Sequence, residues 1–177
     1  MTVLKAERAV AEVLEACGVS SPPVPVEEIA RKLGASIAFE HFGADVSGLL
    51  VRDARAIVIG VNAAHPKKRQ RFTIAHEIGH LRLHQGRPMF VDREVRVDRR
   101  DRTASRGVDT EEIAANRFAA ELLMPEEMVF AAVAQVSLPQ ERGGSAAIIA
   151  RLAEKFDVSE QAMEYRLANL GLAMPPR

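Results

Sequence analysis

One stretch constrains this chain more than any other: Arg71-Phe72-Thr73-Ile74-Ala75-His76-Glu77-Ile78-Gly79-His80-Leu81-Arg82-Leu83-His84. Residues four apart on a helix lie one above the other, so His76 and His80 can grip a single ion. Glu77, one position along, is then placed as a general base beside that ion. On a helical wheel Phe72, Ile74, Ala75, Ile78, Gly79, Leu81 and Leu83 cover most of the circumference, which predicts a buried helix. Its main polar strip is Thr73, His76, Glu77, His80 and His84. A buried polar strip is costly unless its groups are used, and metal ligation would use them. Pro66 favours the first turn, and the helix is expected over 67–84.

Catalytic zinc takes three protein ligands and keeps a fourth position open. His84 lies one turn beyond His80, and one rigid helix does not bend three successive imidazoles onto one ion. A structural or oxyanion-contacting role suits it better. A metzincin would carry glycine at 83 and histidine at 86; the residues are Leu83 and Gly86, so that class is excluded. An acid from a later helix, expected over 109–124, remains. There Phe118, Leu122, Ala115, Ala119 and Leu123 form the core face. Glu112 and Asn116 lie on or beside that face, and Glu121 is expected on the solvent side. Glu111 stays as an outside candidate. Glu112 also fits a capping box with Asp109 as N-cap and Ile113 as a hydrophobic staple, so cap and ligand compete for it. Asn116, one turn on, suits a hydrogen bond to a ligand.

Around these motifs the chain reads as helix-rich α+β. A helix over 3–17 ends at Gly18, a Pro-rich connector follows, and Val26 to Leu33 forms a second helix closed by Gly34. Segments 36–39, 47–51 and 56–61 read as strands of a small, mostly antiparallel sheet, the last two joined by a hairpin at Arg52-Asp53-Ala54-Arg55. Residues 85–108 are expected to be an irregular loop; Arg87 to Arg106 holds seven arginines. Pro125 opens a further helix. Residues 146–156 and 159–170 then form a C-terminal pair with Ser159 as N-cap. The expected organisation is a main domain over 1–140 with the pair, 141–177, packed on it.

Composition narrows the partners. Formal net charge is zero, so no overall field draws the chain to nucleic acid. The C-terminal pair has a helix-turn-helix look, but its second helix carries Glu160 and Glu164 against Arg166 alone, which argues against direct DNA contact. The single cysteine, Cys17, offers neither an internal disulfide nor a thiolate cluster. No stretch has the length of a membrane span, and a cytoplasmic chain is expected.

Arg71-Phe72-Thr73-Ile74-Ala75-His76-Glu77-Ile78-Gly79-His80 with Leu83-His84, followed by Glu112-x-x-Ala115-Asn116-x-Phe118-Ala119-x-x-Leu122-Leu123-Met124-Pro125, resembles the ImmA/IrrE metallopeptidase family. The likeness extends more weakly to Val26–Gly34 and to Arg166–Gly171. The resemblance implies a zincin-like fold and a gluzincin-like site, with His76, His80 and Glu112 on zinc and Glu77 as catalytic base. It implies a bacterial or mobile-element regulatory protease whose substrate is a helix-turn-helix repressor. Manganese could replace zinc. The oxyanion needs another donor, and His84, His65, Tyr165 or a loop arginine could serve. A substrate strand could add to the sheet edge. The competing reading keeps the metal but makes the chain a non-cleaving binder of a repressor or toxin.

Overall fold

The computed structural model describes residues 3–43, 45–84, 89–93, 105–136 and 144–172. The chain begins with α1 (Val3–Cys17) and α2 (Val26–Lys32), then β1 (Ala35–Glu40), β2 (Val46–Arg52) and β3 (Ile57–Asn62). The motif helix α3 (Lys67–Leu83) follows, then β4 (Met89–Arg93), α4 (Ser105–Leu123), α5 (Glu126–Val136), α6 (Gly144–Phe156) and α7 (Glu160–Asn169). The class is α+β, as the residue patterns predict.

The sheet is mixed, with strand order β1-β3-β2-β4. β2 and β3 form the expected hairpin, and β4 pairs antiparallel with the other side of β2. β1, however, pairs with β3 in parallel, Ala35 opposite Ile57 through Glu40 opposite Asn62. β3 slots between β1 and β2, so β1 and β2, successive in sequence, are not neighbours in the sheet. Its sequence suits the centre: Ile59, Gly60, Val61 and Asn62 are all buried. The hairpin turn is held by Asp53, whose Oδ1 accepts from the backbone N–H of Arg55 (2.6 Å) and Ala56 (2.8 Å).

α3 lies across β2 and β3 and packs lengthwise on α4, with α1 and α2 beside it. Its start is pinned by buried amides. Asn62 Nδ2 donates to the Val46 carbonyl (2.8 Å), and Gln70 Nε2 donates to the carbonyls of Ala63 (3.2 Å) and His65 (2.8 Å). Its end is closed by Arg52, whose guanidinium reaches the carbonyls of His80 and His84. A cation on the last carbonyls of a helix complements their orphaned lone pairs and the helix dipole. Arg71 holds the middle to the rest of the chain: it donates to the Val24 carbonyl (3.0 Å) and pairs with Asp157 in the α6–α7 turn (3.0 Å). Ser159 caps α7 as expected, its Oγ accepting from Ala162 N–H at 3.1 Å.

Three local expectations are corrected. Residues 89–93, read as loop, form β4. α4 begins at Ser105, so Asp109 lies inside the helix and is not its N-cap, and Glu112 is not at the third position of a capping box. Gly107 costs such a helix about 1 kcal/mol, which packing of α4 on α3 and α1 overrides; Ile113 is 54% exposed and staples nothing. Glu121 does not face solvent: it is tucked against α7, paired with Arg166, which also donates to the Met124 carbonyl. Most of the remaining arginine-rich stretch lies outside the described residues.

Candidate metal centre

The polar strip of α3 is buried throughout. His76, Glu77 and His80 are 2%, 0% and 1% exposed, and Thr73 and His84 are also buried. Two glycines let neighbouring backbones come close enough to bury it. At Gly79 a Cβ would lie 3.1 Å from Ala115 Cα and 3.2 Å from Phe118 Cβ, so α3 and α4 touch there backbone to backbone. At Gly48 a Cβ would strike the Thr73 methyl and lie 3.1 Å from Glu77 Oε1, so bare β2 backbone roofs that carboxylate.

This approach brings Glu112 of α4 to the two imidazoles. Its Oε2 is 3.2 Å from His76 Nε2 and its Oε1 is 3.3 Å from His80 Nε2. The two Nε2 atoms are 2.9 Å apart. A tetrahedral ion bound at about 2.0–2.1 Å separates its donors by roughly 3.3–3.4 Å. With the imidazole nitrogens 2.9 Å apart, a different carboxylate oxygen against each, and one donor atom from each residue within 4.8 Å of the others, the cluster has the dimensions of a single-ion site, and two imidazoles with one carboxylate are a donor set that suits zinc. Among the described residues His76, His80 and Glu112 form the one group of three donors so disposed.

Each imidazole is oriented from behind. His76 Nδ1–H donates to Asn116 Oδ1 at 3.0 Å, which leaves the Nε2 lone pair for a cation. His80 Nδ1 is 3.1 Å from His84 Nδ1. Burial, with His80 beside it, lowers the His84 pKa from the ordinary histidine value and so favours the neutral ring, whose Nδ1 can accept from His80 Nδ1–H. The His80 ring also stacks on Phe90 of β4, centroids 4.3 Å apart. Burial raises the Glu112 pKa, but the two imidazoles against its carboxylate, His76 and His80, bring it down to about 2. The carboxylate is thus ionised at neutral pH, the form that binds a cation.

The other candidates stand elsewhere. Glu111 is half-buried but is not one of the three clustered donors. Tyr165 is 64% exposed on α7, and its neighbour Arg166 binds the end of α4 remote from Glu112. His65 lies on the β3–α3 turn, outside the donor group. The sequence reading missed Phe90; the apolar run Met89-Phe90-Val91 between charged residues was the signal for it.

A solved structure, a Mycobacterium tuberculosis transcriptional regulator, resembles this chain with a TM-score of 0.63 at 18% identity. The likeness, one of fold, covers 93% of this chain and 46% of that one, so the chain spans less than half the regulator's length. No curated protein matches the chain. The family model described as peptidase M78, IrrE N-terminal-like domain, matches residues 30–168, which takes in α3 and α4 with all three donors. The chain belongs to the peptidase M78 (IrrE N-terminal-like domain) family.

Proposed function

We propose that the chain is a zinc-dependent endopeptidase acting on a transcriptional repressor of the helix-turn-helix type. The single observation that carries the chemistry is the triangle of His76, His80 and Glu112 with Glu77 buried next to it. Bound there, zinc would polarise a peptide carbonyl and make a water acidic enough to be deprotonated near neutral pH. Glu77 takes that proton and returns it to the leaving amine. Asn116 and His84 keep His76 and His80 in the tautomers that present Nε2. Gly48 leaves room for the Glu77 carboxylate beneath β2.

The repressor as substrate rests on the family and on the regulator of like fold, and is a reading of partner class. The metal-dependent step and the partner are tested together. The protein is incubated with candidate repressors, with and without chelator, beside the Glu77→Gln variant. Chelator-sensitive cleavage that Glu77→Gln abolishes while retaining zinc is the expected result. Complex formation with no cleavage would transfer the assignment to a non-cleaving binder; full proteolysis by Glu77→Gln would refute Glu77 as base.

A further inference from the structure

Phe72, His76 and His80 lie four residues apart on α3, so the metal stripe continues past His76 onto Phe72. The Phe72 and His76 rings are 6.4 Å apart. Phe72 is half-buried and forms one wall of a cavity of about 490 Å³. Pro66 before α3, Leu123 and Met124 at the end of α4, and Val158 and Ala162 at the α6–α7 corner form the rest of its apolar lining. Apolar concavities of this size hold a large side chain or a small ligand. Its rim carries three successive exposed cations, Lys67, Lys68 and Arg69, and among the described lining residues there is no carboxylate. Arg69 also donates to Ser47 Oγ (3.2 Å) on β2, next to the Gly48 that roofs Glu77. The rim thus reaches from the cavity to the strand above the motif.

From these observations we infer that the cavity is a specificity subsite for the polypeptide substrate, taking a large apolar side chain that has acidic residues beside it. The inference rests on the proposed peptidase reading and names what that site selects. The occupant follows from continuity and charge: the lining begins on the stripe that carries the ligands, and the rim is uniformly basic. One helical turn separates Phe72 from His76, about the reach of two residues of extended chain. The selected side chain therefore sits within about two or three residues of the cut bond.

The test uses a mixed-sequence peptide library with the zinc-loaded full chain, products being read by mass spectrometry. Cleaved peptides are expected to carry Leu, Met or Phe at a fixed place within about three residues of the cut, flanked by Asp or Glu. Ala162→Phe, which fills the cavity, should reduce their cleavage at least about tenfold with zinc content and melting temperature unchanged. Lys68→Glu, an exposed change, should erase the acidic preference and keep the apolar one. Capture of the same peptides by zinc-loaded Glu77→Gln separates the two readings. Capture that Ala162→Phe abolishes, with no cleavage by the wild type, would uphold the subsite and sink the peptidase. Cleavage without apolar preference, undiminished by Ala162→Phe, would overturn the subsite alone. A dimer in sedimentation that Ala162→Phe dissolves, with no peptide preference, would also overturn it.

Discussion

Asn116 lies in hydrogen-bond contact with the His76 ring and His84 with the His80 ring. Replacing Asn116 with Ala frees the His76 Nδ1–H and lets the ring turn or change tautomer. The expected result is a metal affinity about 10- to 100-fold lower, measured by competition with a chromogenic chelator, with little change in melting of the metal-free chain. His84→Ala should act in the same direction through His80, and in addition leave a hole beside Phe90. The wheel can place Glu112 on the inner side of α4. It cannot say how near the carboxylate comes to His76 and His80, because that separation is set by the contact of two helices that are not neighbours in the chain.

That contact is the business of whole elements. Gly79→Ala would force a methyl against Ala115 and the Phe118 side chain, and backbone at that distance cannot give cheaply. It should lower stability by about 1–3 kcal/mol and weaken metal binding by moving α4 and Glu112 outward, a pair of effects read from denaturant unfolding and metal titration on the same variant. At the hairpin, two backbone N–H groups hold the Asp53 pKa below its ordinary value. Such a depressed carboxylate contributes stability above its unfolded pKa and loses it as the pH falls through the folded value. Asp53→Ala should therefore be less stable than wild type at neutral pH, with the gap closing in acid, as followed by urea unfolding across pH. These elements also mark what was legible in the sequence. α1, α2, α3 and the 52–55 hairpin announce themselves through local signals: period, proline, glycine and a turn aspartate. β4 and the parallel β1–β3 pairing do not, because a strand's partner is chosen by distant residues. The early start of α4 was hidden by Gly107, whose local penalty tertiary packing outweighs.

Across the whole molecule, charge that sums to zero is unevenly spread. A groove between α1 and α5 is lined by Glu7, Glu15, Glu126 and Glu127, whereas Lys67, Lys68 and Arg69 rim the cavity beside the motif. Neutrality speaks against long-range attraction and says nothing of local patches. Arg71 joins the pieces, reaching from α3 to the segment before α2 and to the α6–α7 turn. Arg71→Met would remove the donors to the Val24 and Asp157 carbonyls and the ion pair with Asp157, and should cost about 1–3 kcal/mol, seen as a lower midpoint in urea. Metal should stabilise the chain as any ligand of the native state does, by about 4 kcal/mol at a thousandfold excess over its dissociation constant. Chelation should accordingly lower the melting temperature, and Glu112→Gln should blunt that response.

β4 is the last strand of the sheet, with β2 as its described partner, and its Phe90 lies flat on the His80 ring. A polypeptide that pairs with the outer side of β4 would tug on the ring that stacks there, and so on a metal donor. Thermodynamic linkage makes such a coupling reciprocal: whatever factor the metal adds to the affinity for the polypeptide, the polypeptide adds to the affinity for the metal. Cargo and ion would then hold one another in place, and loss of either would loosen the other.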